Sequence, residues 1–304
     1  MSEGLRNVPR MDDAFAAADR FLLSQARLLE RRLFATLFLG QPPGGVVDAL
    51  RGYQNADGGF GHGLEPDKRC PASLPIDVEI AFQAMATADA ADAAMVGRAC
   101  DFLGRVAAAA EADGALPLAF PVIESFPRAV HWSDWTYRPG LNPTAGLAGL
   151  LHQLGVNHPW LAEATDYCWR QLESGAPIQD AHELSEVFVF LEHVPDRERA
   201  DKHRAVLADT LAEVEMFHLD PAADGYGLTP LHLASEPGSR SRGLFDDALI
   251  EAHLDALAGS QQPDGGWPIS WEPPSEASLL EWRGMVTLQA LRTLTAYDRL
   301  AATP

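Results

Sequence analysis

The sequence predicts an all-α protein whose helices lie in two layers. Three observations lead to this prediction. Apolar residues recur with helical spacing along most of the 304 residues, no stretch alternates cleanly enough to be a strand, and helices with one polar face alternate with helices that are apolar on most sides. A helix that is apolar all round is usually buried, so the apolar helices would form the inner layer.

Apolar periodicity, caps and chain breakers set the predicted elements. Their bounds are 12–39, 46–54, 76–86, 93–109, 144–154, 159–172, 181–193, 197–217, 245–260 and 276–300. The first helix and its linker end at residue 44, where Gly and Pro break the pattern. Residues 112–140 lack periodicity and form an aromatic-rich loop. The expected N-terminal caps are Ser73, Asn142, Asp180 and Ser275, with Asp180 opening a capping box that Glu183 completes.

Composition excludes several classes of protein. A net charge of −20 argues against nucleic acid or an anionic membrane surface as a partner. The three cysteines are far apart and odd in number, which indicates neither a disulfide framework nor a thiolate zinc site. No apolar window is long enough to span a membrane or to be a signal peptide. We expect one cytoplasmic domain over residues 1–304 that acts on a small molecule.

A seven-residue phrase occurs twice in the chain. Gln54-Asn-Ala-Asp57-Gly58-Gly59-Phe60 returns as Gln261-Gln-Pro-Asp264-Gly265-Gly266-Trp267, with degenerate copies at 113–117 and 224–227. An internal repeat indicates a chain built from copies of one unit. In each copy a helix ends, two glycines turn the chain, and an aromatic ring packs under the turn.

This repeat resembles that of the terpenoid cyclase and protein prenyltransferase superfamily, which includes the squalene cyclases. The resemblance implies an (α/α) toroid of about five to six helix pairs around a central cavity. An open solenoid is the competing arrangement, but its helix pairs usually repeat at about 34–47 residues without a Gly-Gly turn. In the family the repeat is structural. The extension 61–67 resembles a feature of bacterial toroid proteins, and that likeness implies no activity.

The chain departs from the family's catalytic motifs. It contains no Asp-x-Asp-Asp motif of the kind with which class II cyclases protonate an alkene, and no Cys-His-Gly motif of the lanthionine cyclases. The zinc-binding Asp, Cys and His of the prenyltransferases have no clear counterpart. The resemblance therefore implies a fold more specifically than a reaction.

The loop 62–79 carries the first set of candidate site residues. Its acidic side chains would act as a general acid or stabilise a cation, and His62 would contact substrate. The alternative is that the carboxylates complement a helix end or pair with Lys68 and Arg69. The candidate catalytic residues are Glu65, Asp67, Asp77 and Glu79.

Aromatic residues supply the second set. Ring faces attract cations, so the rings could line a cavity for isoprenoid-like chemistry, whereas the alternative is a long loop anchored by its aromatics. These candidates are His131, Trp132, Trp135, Tyr137, Trp271 and Trp282. Glu183 joins them as a candidate next to His182 and Glu186, with a helix cap as its alternative role. Glu281 and Arg283 could pair in the cavity wall.

No cofactor is predicted from these patterns. Asp246-Asp247-x-x-x-Glu251 faintly resembles the acidic motif with which class I synthases hold magnesium diphosphate, so Mg²⁺ stays open, but the segment has the pattern of a solvated outer helix. The leading hypothesis is a cyclase or isomerase that uses acid catalysis on a largely apolar substrate. The alternatives are a carbohydrate-active hydrolase or lyase, and a non-catalytic binding or scaffold protein.

Overall fold

The computed structural model describes residues 11–300, and this part of the chain contains twelve α-helices and no β-strand. The all-α prediction is therefore confirmed. The helices are α1 Met11–Gln25, α2 Leu28–Phe38, α3 Gly44–Leu50, α4 Pro75–Thr87, α5 Ala93–Ala110, α6 Leu141–Gln153, α7 Pro159–Glu173, α8 Ala181–His193, α9 Arg197–Ala208, α10 Pro230–Leu233, α11 Asp247–Gly259 and α12 Glu276–Ala296.

The predicted helix 12–39 is two helices, and the single-helix prediction was wrong. Arg27 has extended backbone angles (φ −62°, ψ 164°) between α1 and α2. Its guanidinium donates to the Leu64 carbonyl oxygen at 2.7 Å and pairs with Glu30 at 2.6 Å. A contact 37 residues away along the chain thus accompanies a break that local periodicity does not reveal.

Several other boundaries also differ from prediction. Ser73 does not cap α4, because its hydroxyl donates to Asp57 Oδ1 at 2.7 Å and ties the helix entry to the first Gly-Gly turn. The predicted helix 197–217 ends at Ala208 and continues as a 3₁₀ turn at Leu211–Glu213. By contrast, Asp180 and Ser275 cap α8 and α12 as expected.

Helices α4, α6 and α8 pack side by side and form the most deeply buried part of the molecule. Their close approach depends on small residues of α6. A Cβ atom added to Gly149 would lie 2.5 Å from the Val189 carbonyl oxygen of α8, so only glycine fits there. These helices are the apolar ones of the predicted pattern.

The polar-faced helices cover this layer. Helix α5 contacts α7, α7 packs on α6, and α9 packs on α8. The last helix of the described range, α12, contacts α1, α2 and α11. The first and last helices of the described range are therefore neighbours.

The two full copies of the repeat have the same hydrogen bonds. Gln54 Nε2 donates to the carbonyl oxygens of Gly58 and Met95, both at 2.9 Å. Gln261 Nε2 donates to those of Gly265 at 2.8 Å and Ala14 at 2.9 Å. Each glutamine thus closes its own turn and ties it to a polar-faced helix, α5 in the first copy and α1 in the second.

The first glycine of each turn has a positive φ that favours glycine, +93° at both Gly58 and Gly265. A Cβ atom at Gly58 would overlap the carbonyl oxygen of Arg98 in α5, and one at Gly265 would overlap that of Ala17 in α1. The degenerate copy at Gly114 also has φ +93° and lies against Glu163 of α7. Three turns therefore dock on three polar-faced helices in the same way.

Candidate functional site

The loop 62–74 is held in place by distant parts of the chain. Its backbone pairs with the irregular segment, with Arg69 N donating to the Pro127 oxygen at 2.9 Å and Ala129 N donating to the Asp67 oxygen at 2.8 Å. The Ser278 hydroxyl at the start of α12 donates to the Pro66 carbonyl oxygen. The acidic residues of the loop are therefore fixed by 118–140 and α12.

Lys68 is fully buried at the centre of this loop. Its Nζ lies 3.2 Å from Glu65 Oε2 and 3.0 Å from Asp77 Oδ2, and it stands 5.2 Å from the centre of the Trp132 ring. Burial lowers the pKa of Lys68, but Asp77 and Glu65 outweigh it, so the pKa is raised on balance. Glu65 and Asp77 are thus the counter-ions of a buried lysine, which is the alternative role that the sequence left open.

Burial governs the ionisation of these two acids. It raises the pKa of Glu65 to about 7, although the nearby lysine acts in the opposite direction. It also raises the pKa of Asp77, again against Lys68. Asp77 Oδ1 accepts a hydrogen bond from the Glu65 amide at 2.8 Å. Both carboxyls are therefore occupied by protein groups.

Asp67, only two residues from Glu65, has different surroundings. Its side chain is 4% exposed. Trp282 Nε1 donates to Oδ1 at 2.8 Å, Trp271 Nε1 donates to Oδ2 at 3.1 Å, and His131 Nε2 lies 3.4 Å from Oδ2. Two indoles from separate segments thus converge on one carboxylate and donate to both of its oxygens.

A row of partly exposed rings continues from Asp67. Trp271 stands nearly perpendicular to Trp282 (83°, centroids 5.1 Å apart) and to Tyr226 (81°, 5.3 Å). Tyr226 in turn stacks on His182, whose Nε2 lies 2.7 Å from the tyrosine oxygen. The row joins the beginning of α8 to the beginning of α12.

A second carboxyl pair lies deeper between the helices. Glu79 of α4 and Glu186 of α8 meet over Gly146 of α6, where an added Cβ would overlap Glu186 Oε2 and lie 3.1 Å from Glu79 Oε1. Gln83 Nε2 donates to Glu79 Oε1 at 2.8 Å. The Oε2 atom of each glutamate is buried beyond the reach of other donors in residues 11–300. A proton shared between the two carboxyls would satisfy both.

The burial of this pair favours retention of that proton. Burial raises the pKa of Glu79 to about 7, opposed by hydrogen bonds from Glu186 and Gln83. Burial also raises the pKa of Glu186 well above its usual value, and Glu79 raises it further. Two like charges in one dry site cannot both ionise easily. Glu186 lies four residues along α8 from His182, so the pair lies about 6 Å below the His182 end of the aromatic row along the helix axis.

The remaining candidate residues lie elsewhere. Trp132 is buried in a small separate core with Cys70, Leu74 and Ile123. Trp135 is 48% exposed and donates to the His131 carbonyl oxygen at 2.8 Å. The Tyr137 hydroxyl lies 3.1 Å from Glu124 Oε1. The structure therefore brings His131 next to Asp67, whereas these three rings anchor the irregular segment.

Several predicted polar roles are structural in the observed geometry. His62 Nε2 lies 2.9 Å from Asn55 Oδ1 on the surface, and Glu183 Oε2 accepts from the Gln179 amide at 2.6 Å as a cap. The predicted pairing of Glu281 with Arg283 was wrong. Glu281 pairs with Arg69 at 2.7 Å, and Arg283 pairs with Asp264 at 2.7 Å, because residues two apart on a helix do not face each other.

The magnesium-like segment is also engaged by protein groups. Asp246 caps α11 through the Leu249 amide at 2.7 Å, Asp247 pairs with Arg242, and Glu251 pairs with Arg299. Over the described range, no cluster of three or more histidines, cysteines and acids has a geometry that could hold a metal.

Sequence reasoning missed Tyr226 and Gly146, and assigned no role to the Glu79–Glu186 contact. Tyr226 has a signal, because it follows the degenerate Asp224-Gly225 turn at the place where the full repeats carry a glycine and then an aromatic. Glu186 also has one, as an acid directly before the apolar run 187–191 of α8. Gly146 has none, since its role depends on two other helices.

Comparisons with known proteins identify no relative. No protein-family model matches the chain, and no curated protein matches it. Among the helices of residues 11–300, none combines the length and the apolar character needed to cross a membrane. The site is therefore interpreted from its own geometry.

Proposed function

We propose that the chain folds as an (α/α) toroid of the kind found in the terpenoid cyclase and prenyltransferase superfamily. Two observations support this arrangement. Helix α12 packs on α1 and α2, and the last Gly-Gly turn docks on α1 with the same hydrogen bonds as the first turn makes to α5. In a closed ring the final unit docks on the first one. The inner helices are then α2, α4, α6, α8, α10 and α12, which makes six pairs.

In this arrangement the aromatic row lies at one mouth of the ring. The residues of the row belong to the beginnings of α8 and α12 and to the segments that lead into α4, α10 and α12. Inner helices of a toroid share one direction, so their N-terminal ends share one mouth. The Glu79–Glu186 pair lies below this mouth, between the inner helices α4 and α8.

The proposed activity is acid–base isomerisation or cyclisation of a small, largely apolar substrate. The observation that carries it is the presence of two contrasting carboxyl environments. The buried Glu79–Glu186 pair has raised pKa values one helical turn from His182, and the N–H-bound Asp67 lies at the other end of the aromatic row. The shared proton would pass to a substrate alkene carbon, whose π electrons form the new C–H bond. Asp67 or His131 would then take a proton from a neighbouring carbon, and the double bond reforms in a new position.

The two alternative functions fit the geometry less well. A glycosidase needs two carboxyl groups about 5–9.5 Å apart with a sugar between them. Glu79 and Glu186 are in hydrogen-bonding contact instead, which leaves no room for a ring. A scaffold has no use for buried carboxyls with raised pKa values, since their burial costs stability at neutral pH.

Deuterium incorporation tests the proposal. The protein is incubated in D₂O with a panel of isoprenoid alkenes and alcohols, and the products are analysed by mass spectrometry for new C–D bonds. We expect incorporation with at least one substrate and its loss in both Glu186→Gln and Glu79→Gln. Glu163→Gln, at an exposed position on α7, is the matched control and should keep the activity. Incorporation that survives in both glutamine variants would rule out the pair as the acid.

A further inference from the structure

Asp67 is a buried carboxylate without a permanent cationic partner. Within residues 11–300 it makes no ion pair with lysine or arginine, and the one basic side chain in contact with it is His131 at 3.4 Å. The two cationic side chains next to it in sequence already have partners. Lys68 pairs with Glu65 and Asp77, and Arg69 pairs with Glu281. A buried anion in this state is costly unless a cation completes the site.

The groups that surround Asp67 select the kind of cation. Two indole N–H groups already occupy its oxygens, so few lone pairs remain for a metal ion or for a primary ammonium. What remains available is aromatic surface, because Trp271, Trp282 and Tyr226 are each partly exposed. Ring faces carry the negative side of the aromatic quadrupole and attract cations whose charge is spread over apolar methyl groups.

The electrostatic environment of the row is negative. Burial, together with the charges of Asp67, Asp180 and Glu65, raises the pKa of Tyr226 to about 12. The whole chain carries a net charge of −20. Such a field concentrates cations at the site and repels anions such as diphosphates.

We propose that Asp67, Tyr226, Trp271 and Trp282 form a binding site for an organic cation with a methylated ammonium head. Asp67 supplies the counter-charge and the three rings contact the methyl groups. This inference rests on the proposed function in one respect, since it gives the apolar substrate of the same site a cationic head. The aliphatic part of that ligand would then extend toward Glu79 and Glu186.

Binding of a matched pair of small molecules tests the inference directly. Choline and 3,3-dimethylbutan-1-ol have nearly the same shape, but only choline is charged. Titration calorimetry of the whole protein at pH 8, where an ordinary histidine is neutral, should give choline a Kd at least about tenfold lower than its neutral counterpart. Tetramethylammonium should compete with choline, whereas sodium at the same ionic strength should not.

Variants at Tyr226 and Asp67 locate the site. Tyr226→Leu removes a ring face without touching Asp67 and should weaken choline binding about fivefold or more, while Tyr226→Phe keeps the face and should bind within twofold of wild type. Asp67→Asn should abolish the preference for the charged ligand. Asp209→Asn, an exposed acid on the same highly charged chain, should leave it unchanged and so control for net charge.

The outcomes separate this inference from the proposed function. Equal binding of choline and its neutral counterpart, or equal affinities of the leucine and phenylalanine variants, would overturn the cation site. Deuterium incorporation could still occur in that case, and the proposed activity would stand. Selective choline binding without any incorporation would instead support the cation site and contradict the acid–base activity.

Discussion

At the residue scale, two neighbouring acids of one loop have different roles. Glu65 and Asp77 neutralise the buried Lys68, whereas Asp67 is bound by indole N–H groups and faces the aromatic row. A buried ion pair is sensitive to the loss of one member, because the other is left uncompensated in a dry environment. The lysine should therefore be essential for folding of this loop.

Lys68→Met keeps the length of the side chain and removes its charge. We expect it to lower the free energy of unfolding by about 3–5 kcal/mol, since two carboxylates lose their cation. Urea denaturation at pH 7 measures the change. Lys202→Met is the matched control, because Lys202 pairs with Glu198 at 2.9 Å on the surface, and it should unfold at nearly the wild-type urea concentration. Similar behaviour of the two variants would contradict a buried charge cluster.

The sequence identifies this loop as a candidate site but does not distinguish the roles of its acidic residues. Seven polar residues within 62–79 identify it as a candidate site. The distinction between Asp67 and Glu65 depends on Trp271 and Trp282, which are 204 and 215 residues away from Asp67 along the chain. Local patterns carry no information about such partners.

At the element scale, three helices meet at one glycine. Gly146 of α6 leaves the space in which Glu79 of α4 and Glu186 of α8 touch. Sequence periodicity predicts all three helices, with α8 at the observed bounds of Ala181–His193. It does not predict their mutual rotation, which decides that Glu186 meets Glu79 while Glu183 caps the helix.

Gly146→Ala tests this contact. Alanine is a better helix former by about 1 kcal/mol, yet here its methyl group would overlap Glu186 Oε2. We expect a net loss of about 1–3 kcal/mol in the free energy of unfolding. Gly97→Ala in α5 is the control, because nothing lies within 4 Å of the added atom, and it should gain about 0.5–1 kcal/mol. A stabilising Gly146→Ala would show that the carboxyls do not meet there.

The same pair predicts a dependence of stability on pH. The folded pKa of Glu79, about 7, and that of Glu186 lie above the unfolded value near 4.3. Between these values the folded state keeps protons that the unfolded state has lost, so stability is highest near pH 4.5 and falls as pH rises toward 7. Glu79 by itself should contribute a fall of about 4 kcal/mol, because its pKa rises from about 4.3 to about 7 and a tenfold change in a protonation equilibrium corresponds to about 1.4 kcal/mol.

Urea denaturation between pH 5 and pH 8 measures this fall. Glu186→Gln removes one titrating group and offers Glu79 a neutral donor, so its fall should be smaller than that of the wild type. Glu163→Gln, at an exposed position, should follow the wild type. Identical pH profiles for Glu186→Gln and the wild type would mean that the pair does not share a proton.

At the scale of the whole molecule, the described helices return to their starting point. The turn at Gly265 docks on α1 in the way that the turn at Gly58 docks on α5. In the proposed closed ring, α1 is part of the last unit. Damage to the final turn should then loosen the first helix.

Gly265→Ala and Gly225→Ala compare a docked turn with an undocked one. Both glycines have positive φ, +93° and +91°, so alanine costs about 1–2 kcal/mol of backbone strain at each. Only the Gly265 variant would also overlap the Ala17 carbonyl oxygen of α1, since nothing lies near Gly225. We expect a loss of about 3 kcal/mol or more for Gly265→Ala, with faster hydrogen exchange in α1. Equal losses would contradict docking of the last turn on α1.

The sequence by itself determined the helical class, most helix positions, the repeated turn and the acidic loop, because periodicity, caps and glycine turns are properties of adjacent residues. Tertiary structure alone decided which carboxyls neutralise Lys68, which one the indoles bind, and which two meet over Gly146. These assignments depend on how helices are rotated and on contacts between residues far apart in the chain. Burial then sets the ionisation of each acid, and burial exists only once the helices have packed.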